Sequence, residues 1–404
     1  MKRAPPVRLL LRMVLLGASA AVSACALQGP RLMPVSHLAY NEAVQISVQR
    51  ELLLNLVRLR HTDTPEFLAI SSISSQMQFD AAASLAGSFG DDGQGSVRMA
   101  APGAAAAYSE SPTVTFSPLR DEEFTRRLVA PVEIDSLYLL TRYGWSLERT
   151  LRLLADEVNG IRNVVPREAM TAQDAESLER FAELARVMRS LHERRLIEID
   201  VVERWTPLSS SLPAAEVSAQ DLLSAIADGH RFAYAADSAS YSLQSRTQHY
   251  VLSVAAEAFV TRDLAEMLAL LGLQPGRSTY EIDARESSGV PPGSALTIRT
   301  RSVLGAMAYA AQGIEVADYE VERGPVAPRA IPSSPYAPLL QVRSSETEPV
   351  DAFVAVPYRG RWFYVEDSDL DSKRTLGVLI SLIRLEIGAG GAENVPVLTL
   401  PVGR

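Results

Sequence analysis

The sequence predicts an α+β fold, with mixed, mainly antiparallel strands and several amphipathic helices. Three observations predict it. Apolar residues recur at helical spacing over 40–59 and again over 178–191. Other segments alternate apolar with polar residues, as where Ile197, Ile199 and Val201 interleave with Glu198 and Asp200. Helical and extended segments follow one another without the regular alternation that builds a doubly wound parallel sheet.

The chain opens on a basic lead of Lys2, Arg3, Arg8 and Arg12, followed by the apolar run Met13 to Val22. That order is the order of a secretory signal peptide. The run is shorter than the roughly 20 apolar residues that span a bilayer. Val22-Ser23-Ala24-Cys25 then matches a lipobox: two small residues suit a peptidase, and Cys25, the one cysteine in the chain, supplies the thiol for a diacylglyceryl group. The expectation is a leader over 1–24 and a lipidated tether over 25–35. Acyl chains anchor by burying CH₂ groups at about 0.8 kcal/mol each, and more than one chain makes the anchor stable. Ala26 stands where an aspartate commonly retains such proteins at the inner membrane. An outer-membrane location facing the periplasm is therefore expected.

Ser36 is placed to cap a long helix. Tyr40, Val44, Val48, Leu52, Leu56 and Leu59 form its apolar stripe, and Asp63-Thr64-Pro65 ends it. Phe67 to Phe79 reads as a strand. The stretch Gly90-Asp91-Asp92-Gly93-Gln94-Gly95 suits a hairpin loop, with Pro112 to Phe116 as a further strand. Arg120 to Tyr143 and Leu147 to Val158 read as helices separated by Gly144-Trp145. Thr171 to Arg195 reads as a surface helix, and 197–201 as a half-buried strand. These elements make an N-terminal α+β domain over 36–206.

Pro207 to Pro213 is a Ser/Pro-rich connection to a middle α+β region over 214–324. There Gln220 to Ala227, Asp263 to Leu271 and Val303 to Ala311 read as helices. Phe232 to Tyr234, Tyr250 to Val254 and Ala295 to Arg299 read as strands. A linker or loop rich in proline follows over 325–338. In the C-terminal region, 339–404, the strands Ala352 to Pro357 and Trp362 to Val365 flank the turn Tyr358-Arg359-Gly360-Arg361. A helix carrying Leu376, Leu379, Ile380 and Ile383 and a closing strand over Val395 to Leu400 complete the chain.

The formal net charge of −9 disfavours nucleic acid as a partner. None of His37, His61, His192, His230 and His249 pairs at i,i+4, and no HExxH occurs. Asp367, Asp369 and Asp371 have the spacing that opens a calcium loop. Ser372 replaces the glycine of its sharp turn, and Val378 replaces the glutamate that closes it. Capping of the following helix explains these residues better. No GxSxG lies on a strand-to-helix turn, and no GxxxxGK[ST] occurs. Neither a cofactor nor a catalytic residue is expected.

A softer signal is the grouping of Tyr358, Arg359, Arg361, Trp362 and Tyr364 in one hairpin, a candidate interaction surface. Alternation puts Trp362 and Tyr364 on one strand face and Phe363 on the other. The lipobox, Tyr40-Asn41-Glu42-Ala43, the run from Leu53 to Arg60, the run from Tyr358 to Tyr364 and the segment Pro396 to Pro401 together resemble a family of uncharacterised bacterial lipoproteins. The resemblance covers most of the mature chain and carries over no catalytic residue. The expected function is a non-enzymatic scaffold or accessory subunit of a cell-envelope complex, held to the bilayer through acylated Cys25 and bound to an envelope protein partner. The alternatives are a glycan-binding or glycan-active protein, or a lipid-handling protein.

Overall fold

The structure, a computed structural model, describes residues 38–84, 103–164, 171–236, 238–283, 291–317, 321 and 338–388. Cys25 and its tether, the glycine- and aspartate-rich loop, nearly all of the proline-rich stretch and the 395–400 segment lie outside the described residues. The fold is α+β, as the sequence predicts.

Helix α1 (38–60) buries Leu53, Leu56 and Val57 completely. Each such side chain contributes about 1.5–3 kcal/mol. The helix ends in a left-handed turn: Thr62 has φ 59°, and the Asp63 amide donates to the Arg58 carbonyl at 2.8 Å. Glycine usually fills that position; here a β-branched residue does, with its hydroxyl donating to the His61 carbonyl at 2.7 Å. Strands β1 (Leu68–Ser84) and β2 (Gly103–Pro118) then form a two-stranded antiparallel sheet of their own.

Helix α2 (Glu122–Val129) is capped by Asp121, whose carboxylate accepts from the Phe124 amide at 2.7 Å. Ala130, ahead of Pro131, is extended, which separates α2 from α3 (Ile134–Arg142) within the stretch read as one helix. Helix α4 (Leu147–Leu154) is shorter than the sequence predicts. Residues 155–158, expected to continue it, are strand β3 (Ala155–Val158), paired with β10 (Ala295–Thr300). Their spacing fits either period, and a partner more than a hundred residues away decides between them.

β4 (Ile161–Arg162) precedes α5 (Ala172–Glu193), which starts in a reciprocal capping box of Thr171 and Asp174. Next come β5 (Ile197–Pro207), β6 (Leu212–Pro213), α6 (Ala219–Ala227), β7 (His230–Ala235), β8 (Ser240–Val254), α7 (Arg262–Leu271) and β9 (Thr279–Asp283). The main sheet runs β4-β3-β10-β9-β8-β5, with β6 and β7 also on β8; only the β9–β10 pair is parallel. After α8 (Val303–Ala311), the strands β11 (Arg343–Ser345), β12 (Ala352–Tyr358) and β13 (Arg361–Glu366) form a small antiparallel sheet with β13 central. Helix α9 (Leu370–Gly388) closes the described chain.

Two buried clusters hold the body together. One joins α1, α2, α8, the small sheet and α9; the other joins α5 and α7 to the main sheet. Helices α3 and α4 supply both: Leu140, Leu153 and Leu154 enter the first, and Leu137, Leu147 and Leu151 the second. The Ser/Pro-rich connection at 207–213 does not divide the core, because β5 before it pairs with β8 after it along its whole length. The C-terminal region likewise shares its cluster with α1.

Candidate functional site: the long hairpin and its root

β1 and β2 have 17 and 16 residues. At about 3.3 Å per residue each is roughly 55 Å long. Their register is continuous from Leu68↔Pro118 to Ser84↔Gly103, with one irregularity between Ile70 and Ser72. Among the described residues they pair only with each other.

The hairpin is fixed to the body at its root. Asn55 of α1, fully buried, grips the Glu66 backbone twice: its Nδ2 donates to the carbonyl at 2.7 Å, and its Oδ1 accepts from the amide at 3.0 Å. The Leu68 amide donates to Glu51 Oε1 at 2.9 Å, and the Leu119 amide to the Phe67 carbonyl at 3.0 Å. Burial pushes the Glu51 carboxyl above its ordinary value, with the Leu68 amide and Arg58 pulling against it. Phe67 packs edge-on against Phe124 with centroids 5.5 Å apart, and Arg120 pairs with Glu66 at 3.1 Å. Replacing Asn55 with alanine strips the side-chain partner from both the amide and the carbonyl of the half-buried Glu66. We expect a loss of about 2–4 kcal/mol in urea unfolding, and faster proteolysis at 64–67, with Asn55→Asp intermediate. Unchanged stability and cleavage would mean that the grip does not hold the hairpin.

The predicted interaction surface is partly spent on the same region. Tyr358 donates its hydroxyl to Asp63, just past α1, and Arg359 pairs with the same carboxylate at 2.9 Å. That hydroxyl bond, then the guanidinium, hold the Asp63 carboxyl below its usual range. Burial, then Asp63, push the Tyr358 phenol up. Arg359 and Gly360 have φ of 47° and 80°, as a tight two-residue hairpin turn requires. Arg361 donates to Ser344 Oγ at 3.3 Å. Trp362 and Tyr364 are half-buried and alternate with the buried Phe363 and Val365, as the sequence predicts. The five residues therefore divide into a clasp on the α1 end (Tyr358, Arg359), a strut (Arg361) and two half-open aromatics (Trp362, Tyr364).

No family model, curated protein or solved structure matches this chain. The site rests on geometry alone.

Two grooves lie elsewhere on the described residues. One of about 510 Å³ runs between α4, α5 and the start of α9. Its arginines are already paired: Arg149 with Asp371 at 2.7 Å, Arg186 with Glu266 at 3.1 Å, and Arg189 with Glu148 at 2.8 Å. The other, about 430 Å³, lies between α1 and α9, over Val44, Val48, Trp145, Phe353 and Ile380. Lys373 on its rim is bonded to Asp367 at 2.7 Å and sits 4.7 Å from the Phe353 ring centre. Asp369 caps α9, accepting from the Ser372 amide at 3.0 Å, in agreement with the capping reading of the acidic run. Among the described residues no three His, Cys, Asp or Glu side chains group as a metal site, and no helix is long and apolar enough to cross a membrane.

The hairpin's reach was the feature least visible in the sequence. Its alanine- and serine-rich segments, 80–84 and 103–107, carry little strand propensity. The signal that could have found them is the polar/apolar alternation that continues from 72 to 80.

Proposed function

We propose that the chain is a lipid-anchored, periplasm-facing, non-catalytic subunit of an envelope assembly, with the β1–β2 hairpin as its assembly arm. The observation that supports this reading is the long hairpin bonded to a packed body at a doubly hydrogen-bonded root. A lone two-stranded sheet is marginal in water, so an arm of this length calls for a partner along its strands. The lipobox sequence at Cys25 supports a membrane tether, and a tethered body assembles in two dimensions.

Two measurements test the reading together. Feeding cells an alkyne fatty acid should label the wild-type chain, and Cys25→Ala should reduce the label to background. Crosslinking in membranes should shift the wild-type chain into a larger species. A chain that takes no lipid label, or one that stays monomeric after crosslinking, overturns the reading.

A further inference from the structure

We infer that the partner along the hairpin is the same hairpin from further copies of this chain, arranged as a closed β-barrel that enters the bilayer around a polar interior. The inference rests on the proposed assembly role and names its partner.

The register carries the argument. Directly opposed residues share a face of an antiparallel sheet. One face holds the pairs Ser72/Thr115, Ser74/Thr113, Gln76/Ser111 and Gln78/Ser109. The other holds Ile70/Phe116, Ile73/Val114, Phe79/Tyr108 and Ala81/Ala106. From Ser72 to Gln78 one face is thus hydroxyls and amides, while the other is largely apolar apart from Ser75 and Glu110; beyond Phe79 both faces are chiefly alanine. That division is the pattern of a strand with lipid on one side and water on the other. The apolar face from Ile73 to Ala83 spans ten residue steps, about 33 Å; tilted by about 40°, it covers a height of roughly 25 Å, as a bilayer strand does.

The edges select the partner. Soluble proteins protect long edges with lysine, other charges or a cover. The two strands contain no lysine or arginine, and their only carboxylates are Asp80 and Glu110. Pro112 removes one donor from β2. A second copy offers β2 to the first copy's β1 in antiparallel sense, and repetition of that head-to-tail contact closes a ring. Closure removes the edges, which a bilayer demands. An eight-stranded barrel takes about four copies, and larger rings take more. Glu110, opposite Met77 on the apolar face, is the feature that works against insertion; a carboxylate there costs less than a guanidinium would.

The test uses the full-length lipidated chain extracted in detergent. Light scattering should give a particle of four or more copies. Planar bilayers should show discrete conductance. Gln78→Cys, on the polar face, should make that conductance blockable by a charged thiol reagent, because Cys25 is acylated. Phe79→Arg should remove the conductance. Replacing 72–114 with a short Gly-Ser turn should leave a lipid-labelled monomer, which checks that the body still folds and is anchored. A labelled wild-type chain that binds only a different envelope protein, or that forms rings without conductance, overturns the barrel while leaving the anchored-subunit reading intact; a labelled chain that stays monomeric overturns both. Loss of the lipid label overturns that reading instead.

Discussion

Arg301→Met should remove about 3–5 kcal/mol of folding stability, a large part of the 5–15 kcal/mol a domain of this kind has. Arg301 is 8% exposed and sits where β10 hands over to α8. Its Nη1 donates to the carbonyls of Arg152 and Leu153 at 3.2 Å each, and its Nη2 donates to the Asn163 carbonyl. The guanidinium lies 4.5 Å from the Tyr309 ring centre, with Asp156 3.9 Å from Nε. Burial lowers its pKa from the ordinary arginine value, with Tyr309 and Asp156 pulling it back. The three carbonyls belong to the end of α4 and the segment after β4, so one side chain ties the two together. Methionine fills the stem but takes the donor from the Leu153 and Asn163 carbonyls, at about 1–3 kcal/mol apiece before relaxation, while Asn163 Nδ2 still donates to the Arg152 carbonyl at 2.9 Å. Arg299→Ala is the control. Its side chain is 57% exposed, and its pairs with Asp156 and Glu157 are solvent-screened, so it should change stability by no more than about 1 kcal/mol. Urea unfolding with matched slopes makes the comparison; equal midpoints for the two variants would show that the fork at Arg301 is dispensable.

The second large effect is expected at Gly313. A Cβ added there would lie 1.7 Å from the Leu340 carbonyl oxygen and 2.9 Å from its carbon. The obstacle is backbone, and Leu340 is fully buried, so nothing nearby yields by a rotamer change. The close approach has a purpose: the Val342 amide donates to the Gly313 carbonyl at 3.3 Å, and the Glu315 amide to the Val342 carbonyl at 2.8 Å. This contact seats the chain where it re-enters the core ahead of the small sheet. Gly313→Ala should cost about 3 kcal/mol, near the upper end for overpacking. Gly360→Ala, at φ 80° with open space around the site, should cost only the backbone strain of about 1–2 kcal/mol. Thermal unfolding of the pair separates the two causes; if Gly360→Ala is the more damaging, steric contact at 313 is not what matters.

Legibility in the sequence followed the range of the forces. α1, α5 and α7 were readable because their apolar stripes, caps and stops are local: Leu53 and Leu56 on one face, Thr171 at a start, Gly272 in the left-handed conformation at an end. The turn at Tyr358 to Arg361 was readable for the same reason. β3 was not, since Leu151, Leu154 and Val158 satisfy a helical period and only pairing with β10 overrules it. The clasp of Tyr358 on Asp63 joins residues 295 apart, and no local pattern announces it. For the candidate site, the turn chemistry at Arg359-Gly360 was visible. The face segregation becomes explicit only once the register says which residues sit opposite each other.

The irregularity at Ser71 has a consequence of its own. In β2 the apolar positions from Phe116 through Val114 to Tyr108 keep one parity without interruption. In β1 they change parity, from Leu68 and Ile70 to Ile73 and Phe79, and the unpaired Ser71 absorbs the change. The bulge thus acts as a phase corrector, and it constrains how such a hairpin can drift in evolution. A single-residue insertion or deletion between 72 and 84 would turn one strand's pattern inside out relative to the other. Length changes there can be inherited only in even steps, as matched changes in both strands, or together with a second bulge.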